Sequence, residues 1–177
     1  MKKIFLTFSV CILAVISLQA QKCKYDYDKK DEITGVVTRS IQVRQTAKAC
    51  SLIQTGDSFT FNVNVNTTGN RSEIVKVGDT LIVKLENEKI IYLFSKEQVL
   101  PVAQTSTIYD PKGNRQGPVY TNYSINYPLP KELLKELKES PIKLCRVVFS
   151  GLNIDLDYKD KSMVRIQKGA ICMDGSN

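Results

Sequence analysis

Phe59, Phe61, Val63 and Val65 alternate without a break with Thr60, Asn62 and Asn64. Successive side chains of a strand point to opposite faces, so the four apolar residues line one face and the polar three the other. A chain with such a segment must place that strand in a sheet with one face buried and one face wet, the habit of antiparallel sheets. The polar run Asn66-Thr67-Thr68-Gly69-Asn70-Arg71-Ser72 then marks a turn or loop.

The same period governs most of the chain. Ile33, Val37, Ile41 and Val43 share one parity, interrupted by Arg39. Residues 80–85 and 89–95 predict a hairpin around Glu86-Asn87-Glu88, with apolar residues on both faces: Leu81, Val83, Leu85, Ile90, Tyr92 and Phe94, but also Ile91 and Leu93. Two apolar faces place this hairpin at the centre of a sheet. A weaker strand over 99–108 precedes the loop Asp110–Pro118, after which Val119, Tyr123, Ile125 and Tyr127 fall on one parity and Tyr120 on the other. The period then changes. Pro130, followed by Leu133, Leu134 and Leu137 among Lys and Glu, predicts a short amphipathic helix stopped at Ser140-Pro141. Strands over 142–149 and 152–158, joined at Ser150-Gly151, and a last strand near 163–172 complete the reading. Eight to ten strands with one helix inserted late imply an antiparallel α+β domain. An all-β barrel or sandwich with the helix at its side is the alternative.

The N-terminus has the three parts of an export signal. Lys2 and Lys3 precede the apolar stretch Ile4–Leu18, and Ser17-Leu18-Gln19-Ala20 ends in a small residue suited to cleavage. The apolar stretch is shorter than the roughly 20 residues of a comfortable bilayer span. Residues 1–20 are therefore read as a signal peptide and 21–177 as one exported, periplasmic or secreted, domain. The formal charge of the 177-residue chain is +7, two units of it from Lys2 and Lys3. The excess is spread rather than gathered in a block, so no nucleic-acid partner is expected.

With Cys11 in the leader, four cysteines remain: Cys23, Cys50, Cys145 and Cys172. An even number in an oxidising compartment implies two disulfides. Three connectivities are open; the nested one, Cys23–Cys172 with Cys50–Cys145, is preferred over two local loops. No C-x-x-C pair and no histidine are present, so neither zinc nor another metal or cofactor is expected.

The lack of histidine also removes every mechanism resting on imidazole. Gly56-Asp57-Ser58 echoes an esterase nucleophile block, but without a histidine it reads as the turn into the Phe59 strand. Ser140-Pro141-Ile142-Lys143 has S-x-x-K spacing, yet its serine ends a helix where serine–lysine enzymes open one. Tyr92 and Lys96 have Y-x-x-x-K spacing on a strand and are read as coincidence. Asp155 and Asp157, with Asp160 beyond, are read as a solvated edge. No catalytic residue is assigned. The candidate ligand-binding residues are Tyr120, Tyr123 and Tyr127 beside a Gly/Asn/Pro loop, because such rings bind at low entropic cost. Arg39 and Arg146 join them, because each places a charge on an apolar strand face.

Two stretches resemble small exported proteins of Bacteroidetes-type Gram-negative bacteria. One is Gln19-Ala20-Gln21 with Cys23-Lys24-Tyr25 and Asp31-Glu32-Ile33-Thr34-Gly35. The other is Gly78-Asp79-Thr80-Leu81-Ile82-Val83-Lys84-Leu85 before Ile90-Ile91-Tyr92-Leu93. The resemblance implies residence in the periplasm or envelope and no particular substrate. The function expected is a non-enzymatic module binding a small ligand or an envelope protein. A carboxylate-based hydrolase acting on glycosides or peptidoglycan is one alternative, and an inhibitor or immunity-like protein another.

Overall fold

The computed structural model describes residues 23–45, 48–110 and 113–175. The leader read at 1–20 lies outside the described residues. Among the described residues ten strands form two antiparallel sheets. The six-stranded sheet runs β1(Tyr27–Lys30), β2(Val37–Gln45), β3(Lys48–Thr55), β4(Ser58–Thr68), then β8(Gly113–Leu129) and β7(Val102–Asp110). The four-stranded sheet runs β10(Leu152–Leu156), β9(Ile142–Phe149), β5(Thr80–Leu85) and β6(Ile90–Phe94). Helix α1 spans Lys131–Glu139 and α2 spans Asp160–Met173. Among the described residues no helix is long and apolar enough to cross a membrane.

The alternating residues dictate the register. Ile41, Leu52, Phe61 and Tyr127 are mutual cross-strand partners in one row of the large sheet, and Val43, Cys50, Val63 and Ile125 in the next. All eight are buried. The small sheet answers with the rows Ile91–Val83–Cys145–Leu156 and Leu93–Leu81–Val147–Ile154. All but the half-buried Ile154 are enclosed, and all join a single apolar core. Each fully buried large side chain contributes roughly 1.5–3 kcal/mol relative to its exposure. Ile33, by contrast, is not part of a strand. It is almost fully exposed in a turn where the Asp31 carboxylate accepts from the backbone N–H groups of Ile33 and Thr34 at 3.0 and 2.6 Å.

The last segment is the clearest correction. Residues 163–172, expected as a strand, lie in α2, so the described residues hold two helices rather than one. Met163, Ile166, Ala170 and Met173 are its buried side chains together with Gly169, a spacing of three and four that suits a helical face. The β-branched Val164, Ile166 and Ile171 concealed that period. Gly169 lies close to β2: a Cβ there would be 2.6 Å from Ile41 Cδ1, so a larger residue would force the Ile41 side chain to shift. Arg165 fastens the helix to β2 by donating to the Gln42 carbonyl at 2.9 Å and to the Asp26 carboxylate at 2.6 Å. Gln167 reaches the Lys138 carbonyl of α1 at 3.0 Å.

Cys23 and Cys172 are joined by a disulfide with Cα atoms 5.8 Å apart. That is the outer bridge of the nested pairing, and it agrees with an oxidising compartment. The inner bridge is absent: Cys50 and Cys145 are buried free thiols. They lie on core rows of different sheets, Cys50 on β3 and Cys145 on β9. Burial pushes the Cys50 thiol up to about 12, and that of Cys145 well above its ordinary value. Both therefore stay protonated and pack as small apolar residues. In the protein without its leader, a thiol reagent should find almost nothing under native conditions and two thiols per chain after denaturation without reductant. Zero thiols after denaturation would restore the second bridge.

Candidate functional site

The sequence-derived candidates do not come together. Tyr123 and Tyr127 are fully buried in the core. The Tyr123 hydroxyl donates to the Glu73 carbonyl at 3.1 Å, and its ring lies 5.0 Å from that of Phe149 at 59°. The Tyr127 hydroxyl is buried without a hydrogen-bond partner. Only Tyr120, of opposite parity, is exposed. Three tyrosines within eight residues suggested a surface, but the strand period divides them between the core and the outside.

Arg39 and Arg146 are occupied by pairing. Arg39 Nε donates to the Asp28 carboxylate of the neighbouring strand at 3.3 Å, and the guanidinium lies 5.4 Å from the Tyr25 ring centre. Arg146 grips Asp155 through both carboxylate oxygens, at 2.5 and 2.8 Å, on directly paired residues of β9 and β10. The Arg146 side chain holds the Asp155 carboxyl below its ordinary pKa, so Asp155 is a committed ion-pair partner. The S-x-x-K pair is similarly engaged. Ser140 caps the end of α1 and accepts from the Asn87 backbone N–H at 3.1 Å, while Lys143 pairs with Glu88 at 2.7 Å.

Another region has the features of a site. The hairpin read as the centre of a sheet is not central, since β6 is an outer strand of the four-stranded sheet. Its inward residues Ile91 and Leu93 are buried, whereas Ile90, Tyr92 and Phe94 are 48%, 52% and 56% exposed. The other sheet edges carry polar or charged residues on their exposed faces, although Tyr27 of β1 and Val102 of β7 are also exposed, at 48% and 55%. β1 is Tyr-Asp-Lys-Lys, β10 presents Asn153 and Asp155, and the exposed part of β7 includes Gln104 and Thr105. Charge is the usual protection of an edge against pairing with another chain. The strand Ile-Ile-Tyr-Leu-Phe has none.

The backbone of β6 is open as well. Leu85 donates to the Lys89 carbonyl and Ser95 to the Asp79 carbonyl, both at 2.9 Å. In an antiparallel pair, hydrogen-bonded positions alternate. Ile91 and Leu93 therefore bond to β5, and the N–H and C=O groups of Ile90, Tyr92 and Phe94 face outward along the edge.

Across from this edge lies a second one. β7 pairs with β8 only as far as Asn122, so residues 123–129 of β8 pair on one side alone, with β4. Pro128, which has no N–H to offer, suits such a position. Between the two edges is an open slot of about 540 Å³. Its apolar wall is built from Phe59, Tyr92, Phe94, Pro128, Leu129 and Pro130. Asp57 and Ser58 enter from the tight β3–β4 turn, where Gly56 adopts the positive φ of 57° that the reversal needs. Lys96 follows β6, and Lys131 opens α1. Neither lysine engages a carboxylate among the described residues.

The slot can hold an elongated group with an apolar body and a negative charge. The sequence does not single it out, because Ile90, Tyr92 and Phe94 read as a buried face of a central hairpin and the Tyr92–Lys96 spacing as coincidence. A second hollow, of about 390 Å³, lies by β1 and is lined by Tyr27, Lys29, Asp31, Thr34, Val36, Thr38 and Thr55. It lacks a comparable apolar wall. No family model, no curated protein and no solved structure matches this chain.

Proposed function

We propose that this protein is an exported, non-enzymatic binding module of the cell envelope, and that it holds its ligand in the slot between β6 and the end of β8. The observation that carries this reading is the uncharged aromatic edge of β6, with its exposed side chains beside two unengaged lysines. An apolar cavity with a few polar groups is the usual form of a ligand site. Surface aromatics of this kind supply contact area at low conformational cost. Residence outside the cytoplasm is supported by the disulfide and by the N-terminal sequence. The hydrolase alternative finds no support in the slot, whose lining has one carboxylate, Asp57, where glycoside hydrolysis works through two.

The test compares two baits in envelope extract, the native protein and a Tyr92→Ser/Phe94→Ser variant. Both positions are exposed, so the variant should fold with stability changed by roughly 0.5 kcal/mol or less per site. Mass spectrometry of retained proteins and small molecules should find a species held by the native protein and lost from the variant. Identical retention by both would end the assignment to this slot.

A further inference from the structure

Resting on the binding role of the slot, we propose that its occupant is an extended, acidic peptide segment of a partner protein that adds a strand to the open edge of β6. Three observations lead to this occupant rather than to a compact small molecule. The N–H and C=O groups of Ile90, Tyr92 and Phe94 face outward as a ladder without a backbone partner among the described residues. A small molecule satisfies one or two such groups, whereas a peptide strand satisfies them in sequence. Across the slot stand Pro128 and Leu129, the end of the stretch of β8 that pairs with β4 alone, so a strand placed there lies beside the end of a second edge. The apolar wall is continuous beside it, which suits the alternate side chains of a strand.

Charge selects the kind of peptide. Lys96 and Lys131 stand at the slot with Asp57 as its one carboxylate, leaving an excess of one positive charge. An acidic segment with large apolar side chains at alternate positions complements this. A second copy of the chain, paired β6 to β6, is less favoured. Centred on Tyr92, that pairing would set Lys96 opposite Glu88, but Glu88 already has both Lys84 and Lys143 as partners. Lys96 would thus approach a cluster that is itself positive.

The experiment selects from a phage-displayed library of random heptapeptides on the purified protein, then follows backbone amide exchange by NMR with the selected peptides. Enriched sequences should combine acidic residues with alternating apolar ones. At saturation, the amides of Ile90, Tyr92 and Phe94 should exchange at least about tenfold more slowly, while those of Ile91 and Leu93, already bonded, change little. Reversing both charges with Lys96→Glu and Lys131→Glu should weaken the acidic peptides by about tenfold or more, and N-methylation of alternate peptide amides should abolish binding. Peptides that bind without slowing the three amides would overturn strand addition while leaving the slot a binding site. So would an empty selection together with Tyr92-dependent binding of the anionic aromatic probe 4-phenylbutyrate. Enrichment of basic peptides would overturn the charge argument. A dimer that is lost on Tyr92→Asp and excludes peptide would make the second copy the occupant. An empty selection, no probe binding and equal retention by the two baits would remove both this inference and the binding reading beneath it.

Discussion

Replacing Cys23 and Cys172 together by serine is expected to lower the free energy of unfolding by about 3–5 kcal/mol. The bridge joins residues 149 apart, nearly the whole described chain. Loop-closure entropy for a ring of that length gives about 5 kcal/mol, a ceiling that residual structure in the unfolded chain reduces. The native geometry adds a local reason. The bridge brings the N-terminal segment to the end of α2, where the Tyr25 hydroxyl donates to the Cys172 carbonyl at 3.3 Å and the Tyr25 ring packs beside Arg39. Without the bridge, the first described residues keep only non-covalent ties to α2, through Tyr25 and the Asp26–Arg165 pair, and β1, exposed at all four positions, relies on its pairing with β2. Urea unfolding of the double variant, and of native protein held in reductant, should give the same loss. A loss below about 1 kcal/mol would mean that the helix stays docked by its own contacts, through Arg165 and the Gly169–Ile41 approach.

That a bridge forms is legible, because cysteine count and compartment speak to whether bridges form. Which pairs form depends on where each thiol sits in three dimensions. Cys50 and Cys145 occupy core rows of different sheets, a placement that no sequence spacing reveals. The strands were legible for the reason the Phe59–Val65 segment shows: one wet face and one dry face leave a period of two. Where that contrast is missing, the reading failed. Residues 163–172 read as a last strand, although the buried positions of α2 follow a helical spacing. The hairpin of β5 and β6 was recognised and misplaced for a related reason. Apolar residues on both faces mean burial on both faces only when a sheet or helix covers the second one. Sequence records what a residue is, and the cover of a face depends on strand order.

The tyrosines of β8 give that distinction a measurable form. Tyr123→Ala is expected to destabilise the domain by about 3–5 kcal/mol, the usual cost of emptying an aromatic site in a packed core. Its ring contacts Phe149 of the opposite sheet at 5.0 Å between centroids, so the pair helps fasten the two layers. Phe149→Ala should cost a similar amount. The two losses should fall short of additive by roughly 0.5–1.5 kcal/mol, the coupling typical of aromatic pairs. Tyr123→Phe keeps the ring and removes only the hydroxyl that donates to the Glu73 carbonyl, so a loss of about 1 kcal/mol is expected. Tyr127→Phe should differ in sign. Its hydroxyl is buried without a partner, so removing it should be neutral or stabilising by up to about 1 kcal/mol. Chemical denaturation of the five proteins, including the Tyr123→Ala/Phe149→Ala double variant, decides the matter. If Tyr123→Ala kept native stability and lost only ligand retention, β8 would be the recognition surface and the core assignment of its tyrosines would be wrong. Stability lost in the order given, with retention unchanged in Tyr127→Phe, would leave the aromatic edge of β6 as the surface available for recognition.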